Sequence, residues 1–215
     1  MSLEYKVTCQ NNSELTGAFC IFQTLRHQEP VLTAQARSLS WLTKKVHSRT
    51  GTQFIWTDNL FFVWGEYAAY EVIHTASKLK ADMDNPNRRS ALLSYQDGAY
   101  ILKYSNRADA DEGKLLIHAD DTVRNNEVVV GIGNFVNVSS CSVGAIVYDT
   151  LKNFNYPIQP VVDYYVTFGN YKSGQIIDLS DIVTPVKKIP FTPDKLSFKA
   201  TMRKDNQIGV KVDDD

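Results

Sequence analysis

Few groups in this chain have the type and spacing to do chemistry. Its three cysteines, Cys9, Cys20 and Cys141, and four histidines, His27, His47, His74 and His118, are scattered, with no CxxC pair. None stands at metal-ligand spacing, so no metal site is expected. A thiol nucleophile needs an imidazole beside it and a carboxylate or amide behind that imidazole. Cys141 lies near a turn and His118 on a neighbouring strand pattern, so the two could meet, but no local signature surrounds them. Glu66 and Glu71 could serve glycoside hydrolysis if they stood about 5 to 10 Å apart across a cleft. With 24 acidic residues in the chain, however, a chance pair is expected. Asp109, Asp111, Glu112, Asp120 and Asp121 lack the regular oxygen-ligand spacing of a calcium loop and read as a solvated loop. Gly131-Ile132-Gly133 lacks the third glycine of a dinucleotide turn and is followed by a strand pattern, so it reads as a structural turn or bulge. No catalytic residue and no cofactor is assigned.

The aromatics are the more informative group. Trp41, Trp56 and Trp64 lie close together in the chain, joined by Phe54, Phe61, Phe62, Tyr67 and Tyr70. Alternation places Phe54 and Trp56 on one face of a strand and Phe62 and Trp64 on one face of the next. Most of these rings must be core. One left outside would offer a flat platform to a sugar ring or a bilayer interface, which makes Trp41, Trp56 and Trp64 the candidate ligand-binding residues. A basic stretch, Lys187 to Lys211, alternates Lys199 and Arg203 with Phe198 and Met202 and reads as the wet face of an amphipathic strand.

The elements that must position these groups are strands. Glu4 to Gln10 puts Tyr5, Val7 and Cys9 on one face, and Gly17 to Thr24 is apolar on both faces, as in a central strand. Arg26 to Ala36 reads as a connection, and Leu39 to Leu42 as a short strand. Thr52 to Thr57 and Leu60 to Trp64 flank Asp58-Asn59, a hairpin signal, and Ala91 to Tyr95 and Ala99 to Tyr104 flank Asp97-Gly98, a stronger one. Tyr67 to Lys80 is ambiguous between helix and strand. Further strands are expected at Lys114 to His118, Glu127 to Ile132, Phe135 to Val138, Ser142 to Tyr148, Val161 to Phe168, Leu196 to Arg203 and Gln207 to Val212. Five prolines make Asn153 to Asp194 the most irregular connection. The expected fold is all-β: a two-sheet antiparallel β-sandwich, jelly-roll-like, forming a single domain over residues 1–215 with a frayed acidic tail at 213–215.

Composition agrees with a packed protein. The 215 residues are 43% hydrophobic and 22% charged, near the usual globular values of about 45 to 50% and about 25%. Lys plus Arg number 23 against 24 acids, a net charge of -1. There is thus no basic excess for phosphate neutralisation, and no nucleic-acid partner is expected. No apolar run approaches the ~18 to 20 residues of a membrane helix, and the N-terminus has no signal-peptide pattern. The expectation is a protein without an integral membrane segment, cytoplasmic or exported without a recognisable signal. Three buried thiols are expected, with one reservation: a hairpin turning at Asn11 to Thr16 would bring Cys9 near Cys20.

Taken in order, VTCQNNSELTGAFCIFQ, LSWLTKK, FIWTDNLFFVWGE, LLSYQDGAYILKYS and VVVGIGNF make the chain resemble the RhiA family over approximately residues 4 to 140. The resemblance implies a context, abundant density-regulated expression in bacteria that meet a plant root. It implies no chemistry and carries over no catalytic residue. The expected function is therefore non-enzymatic, by binding or self-association, in host or surface interaction. The partners this admits are a second copy of the chain and a glycan. The alternatives are a carbohydrate-directed hydrolase or sugar-binding module, and a sandwich that engages membranes through surface aromatics.

Overall fold

Period-two alternation is converted directly into burial. In β1 (Glu4–Asn11), Val7 and Cys9 are fully buried while Lys6, Thr8 and Gln10 are partly exposed on the other face. The computed structural model describes residues 2–26, 36–105, 110–134, 144–178 and 185–213. Within them lie eighteen strands, numbered in chain order, and a single 3-10 turn at Ala69–Glu71.

The strands form four sheets. Sheet A has the order β18 (Ile208–Val212), β17 (Ser197–Met202), β1, β5 (Gly51–Thr57). Sheet B has the order β16 (Val186–Ile189), β14 (Val162–Gly169), β2 (Gly17–Leu25), β4 (Leu42–Val46). Sheet C runs β15 (Ile176–Ile177), β3 (Arg37–Leu39), β12 (Ile146–Asp149), β11 (Val128–Asn134), β6 (Leu60–Tyr67), β7 (Ile73–Lys80). Sheet D runs β13 (Phe154–Ile158), β10 (Leu115–Ala119), β8 (Ser90–Gln96), β9 (Ala99–Tyr104). Ring contacts between Trp56 and Tyr164 join sheets A and B, and contacts between Trp64 and Tyr100 and between Tyr148 and Tyr156 join sheets C and D. One hydrophobic cluster draws on all four sheets.

The all-β expectation holds, but the arrangement is four hydrogen-bonded sheets rather than two. It is also not wholly antiparallel, since β1 pairs with β17, and β8 with β10, in parallel. The Asp97-Gly98 hairpin is present, with φ of 52° and 85° at its two central residues as a type I′ turn demands. The Asp58-Asn59 hairpin is not. Neither residue has a positive φ, and the pair instead turns a corner from β5 in sheet A to β6 in sheet C. The short strand expected around Trp41 is divided for the same kind of reason, because Ser40 and Trp41 carry the chain from β3 in sheet C to β4 in sheet B. Tyr67 to Lys80 resolves into the 3-10 turn followed by β7. Gly131-Ile132-Gly133 is neither turn nor bulge but the centre of β11, all of whose residues are buried. A Cβ at Gly131 would stand 2.0 Å from the Ile146 carbonyl oxygen, so only glycine lets β12 approach there.

Besides the expected β14, three further strands lie in the stretch read as irregular: β13, β15 and β16. Pro157 is tolerated in β13 because that strand is the edge of sheet D. Asp213, expected in the frayed tail, is held by the Thr8 hydroxyl at 3.0 Å and lies 3.6 Å from the Lys6 ammonium. The strand expected at Phe135 to Val138, the start of the one at Ser142, and most of the connection after Arg26 lie outside the described residues.

A buried polar hub ties three sheets together. Asn134, at the end of β11, accepts at its side-chain oxygen from the Gln23 amide of β2 at 3.1 Å and donates its own amide to the Thr57 carbonyl of β5 at 3.3 Å. Its main-chain carbonyl accepts the Trp41 indole N–H at 2.8 Å. Asn134 and Gln23 are 3% and 1% exposed, so a lost partner there is not replaced by bulk water. Gln23→Met, which keeps the volume but removes the amide, should lower stability by about 1–3 kcal/mol in urea unfolding. An unchanged midpoint would show that the hub does not hold the sheets in place.

Candidate functional site

The structure places the three candidate tryptophans in the core, with Trp41, Trp56 and Trp64 at 2%, 1% and 8% exposure. It brings two of them together. Trp41 meets Trp56 edge to face at 5.4 Å between centroids, and Tyr5, Tyr164 and Phe191 close over Trp56 at 5.6, 5.5 and 5.7 Å. Trp64 stands apart, packed on Tyr100 at 5.6 Å between sheets C and D. No indole face of the three is presented to solvent. Among the described residues the most exposed aromatics are Tyr67 and Tyr104. Tyr67 gives its hydroxyl to Asp149, which also takes Arg37, and the Tyr104 hydroxyl donates to the Lys80 carbonyl.

The other sequence candidates are dispersed. Nδ1 of His118 stands 2.6 Å from the Asn155 side-chain oxygen, while Cys141 lies outside the described residues. Cys9 and Cys20 are free and buried on strands of different sheets, so the β1–β2 turn does not pair them. Burial pushes both thiols well above their ordinary pKa, the opposite of what a nucleophile needs. Glu66 and Glu71 are both solvent-exposed. Asp120 accepts from the Thr122 backbone N–H at 2.9 Å, and Asp111 pairs with Lys114 at 3.4 Å; Asp109 lies outside the described residues. Among the described residues no three His, Cys, Asp or Glu side chains converge as metal ligands. In the basic stretch, Lys188 is bound to Asp163 at 2.7 Å, and Lys199 stands opposite Lys211 across β17 and β18.

A groove of about 960 Å³ opens where sheets A and B end together. Its walls come from the start of β2 with the residues before it, from β4, from the end of β14, and from the turn joining β17 to β18. Gly17 leaves room for the buried Phe168 ring, from which a Cβ would stand 2.8 Å, and the apolar surface that the groove presents comes from Leu15, 49% exposed, and the half-buried Pro185. Asn206 occupies the left-handed region at φ 60°, a conformation asparagine tolerates better than most residues, and so offers its amide from the turn. Asn170 and Gln207 add further amides, Thr16, Thr43 and Tyr171 add hydroxyls, and Lys45 is the one charge among the described lining residues. No carboxylate, imidazole or thiol is among the described residues that line it. The groove can donate and accept hydrogen bonds beside apolar surface, but its lining has no acid–base pair. Sequence reading missed it because its polar residues come singly from strand ends and turns, where no periodicity marks them.

Fold and groove define an all-β protein of four sheets with a polar recess at the strand ends. The sequence matches the RhiA family over residues 2–213, and the chain belongs to that family. The match extends well past residue 140, where the motif resemblance ended. No curated protein and no solved structure matches the chain. Among the described residues no helix is long and apolar enough to cross a membrane.

Two measurements test the burial just described. In a Cys141→Ser variant, Cys9 and Cys20 should be inert to a thiol reagent in the native state and react within seconds in denaturant. Fast native reaction would place at least one of them at the surface. Burial also pushes the phenols of Tyr148 and Tyr156 from the ordinary 10.0 up to about 12. The folded state therefore holds these protons after the unfolded chain has released them. Stability should be complete below pH 10 and fall as pH rises from there through 12. Urea midpoints measured across that window should decline, and a flat profile would contradict the burial.

Proposed function

We propose that this protein is a non-enzymatic binding protein whose groove at the ends of sheets A and B takes a glycan. The observation that carries the reading is the lining: three side-chain amides, three hydroxyls and one lysine beside the exposed Leu15 and the half-buried Pro185. A sugar ring asks for this pairing, since its rim of hydroxyls both donates and accepts while its C–H face packs on apolar surface. The volume lies at the upper end of the roughly 300–1,000 Å³ typical of ligand sites and leaves room for more than one ring. With the resemblance to proteins of root-associated bacteria, the ligand class is a polysaccharide of a host or bacterial surface. We further read the four sheets as two stacked, sandwich-like pairs that fold as one unit over residues 1–215.

A glycan panel followed by calorimetry tests the proposal. A bound oligosaccharide should lose at least about tenfold in affinity in an Asn206→Ala/Gln207→Ala double variant, because each lost hydrogen bond is worth about 0.5–1.5 kcal/mol. Both residues are exposed, so near-UV circular dichroism should be unchanged. Failure of the whole panel, or binding indifferent to the double variant, would overturn the reading.

A further inference from the structure

A second recess lies at the opposite end of the same two sheets. It is a cleft of about 210 Å³ between Tyr5 of β1, the start of β14, Arg26 just beyond β2 and the turn after β16 that carries Pro190, Phe191 and Pro193. Three rings line it. Tyr5 meets Phe191 edge to face at 5.0 Å, Tyr164 meets Phe191 at 5.3 Å, and Tyr5 meets Tyr164 at 5.6 Å. Tyr5 is itself stacked at 11° on the buried Trp56, so this lining is fixed from below. The prolines restrain the turn that forms the opposite wall, which favours a cleft already shaped before any ligand arrives. Leu3 and Val161, 41% and 37% exposed, extend apolar surface beside it.

Among the described residues that line the cleft, two cations face one acid, while Asp58, which accepts from the Leu3 N–H at 3.1 Å, lies just beyond the lining on the Tyr5 side. Arg26 and Lys188 converge on one carboxylate, Asp163, at 2.8 and 2.7 Å. All three residues line the cleft. Asp163 has a side chain only 13% exposed, while those of Arg26 and Lys188 are 51% and 50% exposed. Two cations therefore share one anion, and each keeps donors that face solvent. Apolar rings with a cationic edge match a ligand of complementary make-up.

We propose that this cleft is a binding site for a small aromatic carboxylate, its ring packed against Tyr5, Tyr164 and Phe191 and its carboxylate held between Arg26 and Lys188. The site is independent of the glycan groove, shares no residue with it, and stands or falls separately.

The test compares benzoate with its neutral counterpart benzyl alcohol by calorimetry and by the fluorescence of Trp56 under the cleft. Benzoate should bind saturably at millimolar concentration or below, at least roughly tenfold tighter than benzyl alcohol, and more weakly as salt rises. An Arg26→Gln/Lys188→Gln variant should lose that tenfold preference while keeping the weak binding of benzyl alcohol. Both substituted side chains are half-exposed, and near-UV circular dichroism confirms that the fold survives. Absence of saturable benzoate binding, equal affinity for the alcohol, or a preference that persists in the double variant would each overturn the proposal.

Discussion

The arrangement depends on one buried amide. Asn134 ends β11 in sheet C, yet its side chain is shared between Gln23 of sheet B and the Thr57 carbonyl of sheet A, and its main-chain carbonyl takes the Trp41 indole. Apolar packing is non-directional and would tolerate sheets sliding over one another. A buried amide is not so tolerant, because an unmet donor or acceptor away from water costs more than a made bond returns. The hub therefore fixes the register of three sheets at one point, and the apolar cluster around it fills the space that register defines.

The path of the chain makes that fixed point necessary. The backbone leaves the A–B pair for sheet C and returns several times, at β2 to β3, β3 to β4, β5 to β6, and β14 through β15 to β16. Each crossing is a corner at which the chain must leave one ladder and join another. Two of them, Ser40–Trp41 and Thr57–Asn59, adjoin Asn134 through the bonds described above. Sheets B and C consequently bury residues on both faces. Phe22 and Cys20 of β2 lie on one side while Phe19 and Ile21 lie on the other, and Val129 and Val130 of β11 divide in the same way. Gly131 lies in the ladder between β6 and β12, where its missing side chain leaves room for the Ile146 carbonyl.

The strands were legible in the sequence because burial on one face writes alternation into the chain, as in Val7 and Cys9 or Phe198, Ala200 and Met202. Double-faced burial was also legible in β2, whose apolar run marked it as central. What alternation cannot carry is which ladder a strand joins. Asp58-Asn59 looked like a hairpin because the residue types suit one, and only the absence of a positive φ at either position shows that the chain turns a corner instead. Strand β13 was hidden by Pro157, which argues against a central strand and says nothing against an edge. The tryptophans misled in a related way: of the three grouped by spacing only Trp41 and Trp56 meet, and whether a ring is covered depends on a partner sheet that local sequence does not name. Tyr5, Tyr164 and Phe191 are far apart in the chain and meet only through packing.

Both recesses lie at the ends of the strands in the A–B pair, and a physical reason puts them there. Along the strands, inward side chains meet those of the facing sheet and leave no room. The two lateral edges are also occupied, since the Lys44 ammonium reaches from β4 to the Gln53 carbonyl of β5 on one side, and β16 lies beside β18 on the other. Among the described residues, the sheets stop without a facing partner at the two ends, and there the connecting turns supply the walls. Those turns obey local rules of conformation rather than periodicity: the left-handed Asn206 at one end, and Pro190 and Pro193 at the other. The turns are thus freest to differ in chemistry where the core constrains them least, and the two ends do differ. One end is rimmed by amides and hydroxyls, the other by rings and a pair of cations sharing one carboxylate. A scaffold held by the Asn134 hub can therefore carry two recesses of unlike character without either one disturbing the packing between them.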